Sequence, residues 1–327
     1  MIATPADIEA LWTRLSLAGR GSRQFVTLRI DSSGSLDVHA ALRMLDGAPC
    51  LLFELSADDP VRSLEFEAGG MRCSRTMLEV GPALTLSLED EAKRDLFASL
   101  CADVIAYAAS ETAEHSIRAV VARLEAWQAF LRSTTGSLSR SETVGLMGEL
   151  HILKSILEKD AALLETWRAP DDGLHDFEHL GMALEVKTTL GAGSRIAIAN
   201  LDQLDDVGLE RLALVHLRLH QTPDGQCLEE LTAAISSILR YPEAKRQFSS
   251  ALLRRGLSPE DWRALSSIRA AISQTHVHFV DDGFPRLVRR SVSPSITEAS
   301  YVLELSHFAS TSEPLAVVLD DFTTRHQ

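Results

Sequence analysis

The chain is short of several things, and each shortage removes a class of protein. It has only four cysteines in 327 residues, Cys50, Cys73, Cys101 and Cys227, and no two stand at C-x-x-C spacing. That argues against a zinc site built on cysteines and against a disulfide framework, and reduced, buried thiols are expected. No run of about 18 apolar residues occurs, so no membrane-spanning helix is expected. The first 17 residues carry acids and lack an apolar stretch, so no signal peptide is read there and a cytoplasmic protein is expected. Basic residues are scarce as well. Lys and Arg number 32 against 46 Asp and Glu, a formal net charge of -14, which excludes a broad basic surface for polyanions. Any nucleic-acid contact must then use a local basic patch, a bound cation or a basic partner.

What is present is a globular composition. Hydrophobic residues make up 45% and charged residues 24%, enough for a sizeable core, and the length suits two domains at roughly 150 residues each. Aromatics are only 6%, so Ala and Leu supply most of the apolar mass, a bias toward helix.

Residues 8–18 (IEALWTRLSLA) have helical apolar spacing. Strand-like runs follow at 25–30 (FVTLRI), 50–55 (CLLFEL), 64–67 and 83–88 (ALTLSL), separated by turn signals such as Asp46-Gly47 and Gly69-Gly70, and predict a small antiparallel sheet. From Asp90 to Arg132 the period becomes 3.6, which predicts one long helix or two joined near 110–114. The polar stretch 133–138 (STTGSL) marks the expected boundary, dividing 1–132 from 133–327. A helix from Ser139 to about Lys159 opens on a capping box, Ser139-x-x-Glu142. Strands are expected at 182–188, 195–199, 212–219, 275–280 and 300–305. Helices are expected at 227–240, 243–254 and 259–273, the last with Ser258 as N-cap, so the second half reads as mixed α/β.

The informative stretch is Asp176-Phe-Glu-His-Leu-Gly-Met-Ala-Leu-Glu185-Val186-Lys187. Strand side chains alternate, so Glu185 and Lys187 share a face and Val186 points to the core. A hairpin between Asp176 and Glu185 would bring the two carboxylates side by side. Adjacent carboxylates repel unless a hard cation lies between them, and Mg²⁺ usually takes one or two protein carboxylates and keeps water or phosphate oxygens for the rest. Asp176, Glu185 and the Val186 carbonyl are therefore candidate ligands for Mg²⁺ or Mn²⁺. Lys187 would orient the attacking water or offset charge on a phosphate. Taken alone, Glu-x-Lys is also what an ordinary strand salt bridge looks like.

Upstream, Glu142, Gly145 and Glu149 fall on one helix face, with Leu146, Leu150, Leu153 and Ile156 on another. Gly145 and Gly148 each cost about 1 kcal/mol of helix propensity relative to Ala. Both make sense if the helix packs closely on the sheet and brings Glu149 to the acids. Glu142 suits the capping box better than a ligand role. His175 and His179 flank Asp176, and a zinc site, a supporting role or a solvent-facing one all fit. His276 and His278 share a strand face, read as packing or exposure. Gln203 could position a water or a phosphate, or cap a helix. Arg286, Arg289 and Arg290 form the best basic cluster, open to phosphate contact or to a solvated charge run.

The run GLMGELHIL at 145–153, followed by H-D-F at 175–177 and L-E-V-K-T at 184–188, resembles the PD-(D/E)XK phosphodiesterases, and in particular bacterial PD-(D/E)XK motif proteins. The match is clear over 138–220 and weaker elsewhere. It implies an α/β (α+β) fold: a restriction-endonuclease-like mixed sheet core flanked by helices, here with an N-terminal β-rich module and long helix. It implies catalytic roles for Glu149, Asp176, Glu185 and Lys187, with Glu149 completing the metal site. It implies a metal-dependent nuclease, with DNA as the expected substrate, in a bacterial restriction or phage-defence setting with partner proteins or a homodimer. A structural or sensor subunit with little catalysis is the alternative, and the charge of -14 favours it. One departure is that His175, not Pro, precedes Asp176. A Pro-Asp pair stands at Pro170-Asp171, which keeps Asp171 in reserve.

Overall fold

A computed structural model describes residues 4–17, 23–30, 36–56, 64–109, 116–132, 138–258, 267–311 and 313–324. Contacts divide the chain into two compact units, Met1–Gly136 and Ser137–Gln327. Of the expected boundary segment, 133–137 lies outside the described residues.

The first unit is a six-stranded antiparallel sheet in the order β1-β2-β3-β6-β5-β4, with helices α1 (Pro5–Leu17), α2 (Arg94–Ala109) and α3 (Ser116–Arg132). Its strands are β1 (Phe25–Arg29), β2 (Val38–Arg43), β3 (Pro49–Glu54), β4 (Phe66–Ala68), β5 (Met71–Leu78) and β6 (Gly81–Leu88). Trp12 of α1 stacks on Phe97 of α2 with ring centroids 5.3 Å apart and donates its indole N–H to the Cys50 carbonyl at 2.9 Å. A buried aromatic that also satisfies its polar edge locks helix and sheet together. All four cysteines are free and buried. The residues that join α2 to α3, 110–115, lie outside the described set.

The second unit is built on a mixed four-stranded sheet, order β11-β10-β8-β7, beside a two-stranded sheet of β12 and β9. Its elements are α4 (Arg140–Lys159), β7 (Phe177–His179), β8 (Met182–Leu190), β9 (Arg195–Ile198), β10 (Arg211–Gln226), α5 (Leu228–Ile238), α6 (Pro242–Arg254), β11 (Ala270–Phe279), β12 (Tyr301–Glu304) and α7 (Leu315–Thr324). β8 and β10 run parallel; β7 and β11 are antiparallel to their neighbours. One face of the sheet presents Val186, Val215 and Leu217 to α4 and α5; the other presents Ala183, Leu212 and Leu214 to Ile196, Ile198 and Leu305. A sheet covered on both sides explains the near-continuous apolar run of β10.

One expectation fails here. The helix read at 259–273 does not extend to its C-terminal end. Ala270–Ser273 belong to β11, paired with β10 across Leu219 to Gln226, while 259–266 lie outside the described residues. β-sheet pairing outweighs even the high helix propensity of Ala270-Ala271.

Candidate active site

Three elements converge on the acids. The first is α4. Its N-terminus forms the capping box: Ser139 Oγ accepts the Glu142 amide at 3.2 Å, and the Glu142 carboxylate accepts the Ser139 amide at 2.8 Å. Glu142 is thereby occupied by the helix end. Gly148 lets α4 lie directly on β8, since a Cβ there would overlap the Thr188 hydroxyl and meet Thr188 Cβ at 3.0 Å. Gly145 has no such reason, because a Cβ there meets nothing within 4 Å. The close-packing argument holds for Gly148 and fails for Gly145.

The second element is the β7–β8 hairpin, which turns through Leu180 and Gly181, both at positive φ. Phe177 pairs with Leu184, so Asp176 lies opposite the free edge of β8. Its carboxylate accepts the Val186 amide at 2.7 Å, which caps that edge and sets Asp176 beside Glu185. Glu185 and Lys187 share a face as alternation requires, with Nζ 2.9 Å from the Glu185 carboxylate, while Val186 enters the core.

The third element is the C-terminus of α6, which sequence reasoning did not single out. α6 ends in a Schellman turn: Gly256 at φ +83 donates to the Leu253 carbonyl at 2.9 Å and Leu257 to the Leu252 carbonyl at 3.0 Å. The residue at the cap, Arg255, is thereby aimed at α4. It grips both oxygens of Glu149, through Nε at 3.1 Å to Oε2 and through Nη2 to Oε1. Trp167 Nε1 adds a hydrogen bond to Oε2 at 3.2 Å. The neighbouring Arg254 forms an ion pair with Asp171 at 2.9 Å, so the reserve acid already has a counter-ion. In sequence the only clue to Arg255 was an arginine directly before a helix-terminating glycine.

The electrostatics follow from this crowding. Asp176 is pushed well above the ordinary carboxyl range, first by burial and then by the charges of Glu185 and Glu149; the Val186 amide and Lys187 oppose the rise without cancelling it. Burial lifts Glu185 as well, against the pull of Lys187 and His175. His175 is buried with Nδ1 unpartnered, so a solvent-facing role is excluded. His179 packs against Phe322, ring centroids 5.6 Å apart. Gln203 lies beside the lysine. Its Oε1 accepts Lys187 Nζ at 3.3 Å and the Ala199 amide at 2.8 Å, which fixes the lysine rather than capping a helix. Across the same sheet face, Lys187, His216 and His276 occupy one register row, and the two histidine rings stack at 6.2 Å.

The basic cluster is spoken for. Arg286 and Arg290 bind Asp206, Arg290 also binds Asp205, and Arg289 binds Asp202. It is a set of internal ion pairs rather than a free anion surface.

The donor set suits a hard cation in part. Two buried carboxyls whose charged forms are disfavoured, one of them hydrogen-bonded by a neutral amide, leave negative charge that a divalent ion would offset. Among the described residues, no group of three His, Cys, Asp or Glu side chains is placed to hold a metal. A cation here would take Asp176, Glu185 and backbone or external oxygens, with Glu149 available only if Arg255 releases it.

Fold and site together define a PD-(D/E)XK-type protein. The family model described as "Putative PD-(D/E)XK family member, (DUF4420)" matches residues 8–306, and the chain belongs to that family. Its fold is accordingly nuclease-like, and proteins of the PD-(D/E)XK type typically use divalent metals. No curated protein and no solved structure matches the chain. Among the described residues, no helix is long and apolar enough to cross a membrane.

Proposed function

We propose that the chain is a metal-dependent phosphodiesterase that hydrolyses nucleic acid, with DNA as its substrate, in a bacterial restriction or phage-defence setting. The observation that carries this reading is the edge of β8. Asp176 is locked by the Val186 amide next to Glu185, and Lys187 stands on the Glu185 face with Gln203 holding it. Buried acids whose charged forms are disfavoured, set beside a lysine, are the kind of arrangement through which functional sites tune acidity.

Asp176, Glu185 and the Val186 carbonyl would hold Mg²⁺ or Mn²⁺, with Glu149 joining them. The ion would supply Lewis-acid charge to the scissile phosphate. Lys187 then has two tasks: to orient the attacking water with its ammonium hydrogens and to offset charge building on the phosphate oxygens. Gln203 keeps that ammonium from straying into solvent.

The test is cleavage of duplex DNA, single-stranded DNA and RNA with Mg²⁺ or Mn²⁺, comparing wild type with Lys187→Ala. Metal-dependent cleavage that the substitution abolishes is the expected result. A purified, folded chain inert on all three substrates, alone and with its partners, would sink the reading. It would favour instead a non-catalytic subunit of a larger complex, which the net charge of -14 and the self-neutralised arginine cluster also suit. The same two facts predict weak binding by the isolated chain. A partner protein or a second copy would then have to deliver the substrate.

A further inference from the structure

Arg255 is an unusual partner for a residue in the position of Glu149. The carboxylate is buried, its side chain 6% exposed, whereas the arginine side chain is 33% exposed. The guanidinium thus plugs the acid from the solvent side. It is held to the protein by one carboxylate, through Nε and Nη2. The charges of Asp176 and Glu142 also act on it, so its field reaches one acid of the site besides Glu149. Glu142 and Glu149 flank Gly145 on one face of α4, and the surface at Gly145 is open, with nothing within 4 Å of where a Cβ would stand.

Charge balance gives the arrangement a direction. Asp176, Glu185 and Glu149 outnumber Lys187 and Arg255 by one negative charge when all are ionised. A divalent cation turns that deficit into one positive charge, which is what a single phosphodiester neutralises. Once a cation shares Glu149, the hold of that carboxylate on Arg255 weakens. A guanidinium fork matches two phosphate oxygens as well as it matches two carboxylate oxygens.

We propose that Arg255 is the phosphate-binding residue of this site: it neutralises Glu149 in the resting protein and transfers its fork to a backbone phosphate of duplex DNA when a divalent cation takes that carboxylate. The proposal rests on the phosphodiesterase reading above. It makes Arg255 an internal competitor of the metal and a substrate contact in turn, and the two roles move different measurements in opposite directions.

The experiment uses the full chain and compares wild type with Arg255→Gln and Arg255→Lys. Mn²⁺ affinity is read by the loss of free-ion resonance signal. Binding of a fluorescent duplex is read by anisotropy at several salt concentrations, with Ca²⁺ as the oxygen-liganded cation and gels to show the duplex intact. Arg255→Gln should bind Mn²⁺ several-fold tighter than wild type, because its competitor is gone. It should bind the Ca²⁺-loaded duplex about ten-fold more weakly, with a salt slope shallower by about one, as for the loss of one phosphate contact. Arg255→Lys keeps the charge, loses the fork and should fall between, and it serves as the folded control if the Gln variant melts early. Duplex binding and salt slope equal to wild type in both variants would overturn the proposal and leave Arg255 a structural clamp. A wild type that binds neither Mn²⁺ nor, at low salt and high protein concentration where weak phosphate contacts register, any duplex would instead overturn the phosphodiesterase reading itself, and this proposal with it.

Discussion

Two clusters of acids and bases lie in the second unit, and they are built on opposite plans. Around Asp202, Asp205 and Asp206, each acid meets an arginine, Arg289 and Arg290 are largely exposed, and the carboxyl groups of Asp202 and Asp206 are pulled down. Asp206 is held at about 2 because Arg286 and Arg290 outweigh the effect of its burial. Around Asp176 and Glu185, acids outnumber bases, burial is nearly complete, and the carboxyl groups are pushed up. The first plan ties the 202–206 loop to the 286–290 segment that joins β11 to β12. The second stores an electrostatic cost that only a proton or a cation can relieve, which is the signature of a site rather than of a brace.

The largest effect that would break this contrast is on chemistry. Lys187→Ala and Glu185→Gln should each lower duplex cleavage about 10³-fold or more, about 4 kcal/mol of transition-state stabilisation. Arg289→Ala, in the other cluster, should leave the rate within a factor of about two. Equal losses in steady-state cleavage would mean that both clusters serve only folding.

The response to metal comes next. Mg²⁺ or Mn²⁺ at a hundred times its dissociation constant should stabilise the folded chain by about 2.7 kcal/mol through mass action. Asp176→Asn should remove most of that gain. A thermal melt unmoved by millimolar metal would contradict the cation reading.

A third effect separates the clusters by sign. Asp176 has a folded-state pKa above its unfolded value, so its contribution to stability is greatest below the ordinary carboxyl range and is lost as pH rises through the raised value. Asp206 has a depressed pKa, so its contribution is present above the ordinary range and is lost as pH falls toward 2. In metal-free buffer at neutral pH, Asp176→Asn should therefore be more stable than wild type, by about 1.4 kcal/mol for each pKa unit relieved. Asp206→Asn should be less stable. Chemical denaturation from about pH 2 to 8 reads both slopes, and slopes of the same sign would erase the distinction between the clusters.

Much of the site was legible from sequence because it rests on local rules. Alternation placed Glu185 and Lys187 on one face, the expected hairpin between Asp176 and Glu185 formed, and the capping box fixed the start of α4. β2 and β5 were not read as strands. The small side chains of β2 (VHAALR) and the polar ones of β5 (MRCSRTML) carry little apolar alternation, and only their neighbours in the sheet settle them. Arg255 was illegible for a different reason. It lies 106 residues from Glu149, and no periodicity links the two; only the fold brings the end of α6 to α4. The roles of Arg286, Arg289 and Arg290 likewise depended on knowing that the 202–206 loop supplies their counter-ions.

The smallest effect is the most direct check on the brace. Arg289 forms a two-pronged pair with Asp202, Nε at 2.6 Å and Nη2 at 2.7 Å, but its side chain is 56% exposed. Water screens such a pair, and exposed ion pairs contribute only about 0.2–1 kcal/mol. Arg289→Ala should therefore cost no more than about 1 kcal/mol, and the loss should shrink in 1 M salt, where the Debye length falls to about 3 Å. The Thr297 carbonyl, 3.3 Å from Nη1, would lose a donor as well, but at the surface water replaces it. Duplex binding should not change either, because the arginine is already occupied by Asp202. If Arg289→Ala weakened duplex binding and lowered its salt slope, the arginine would have to leave Asp202 for a phosphate. The cluster read here as a brace would then be part of the DNA-binding surface.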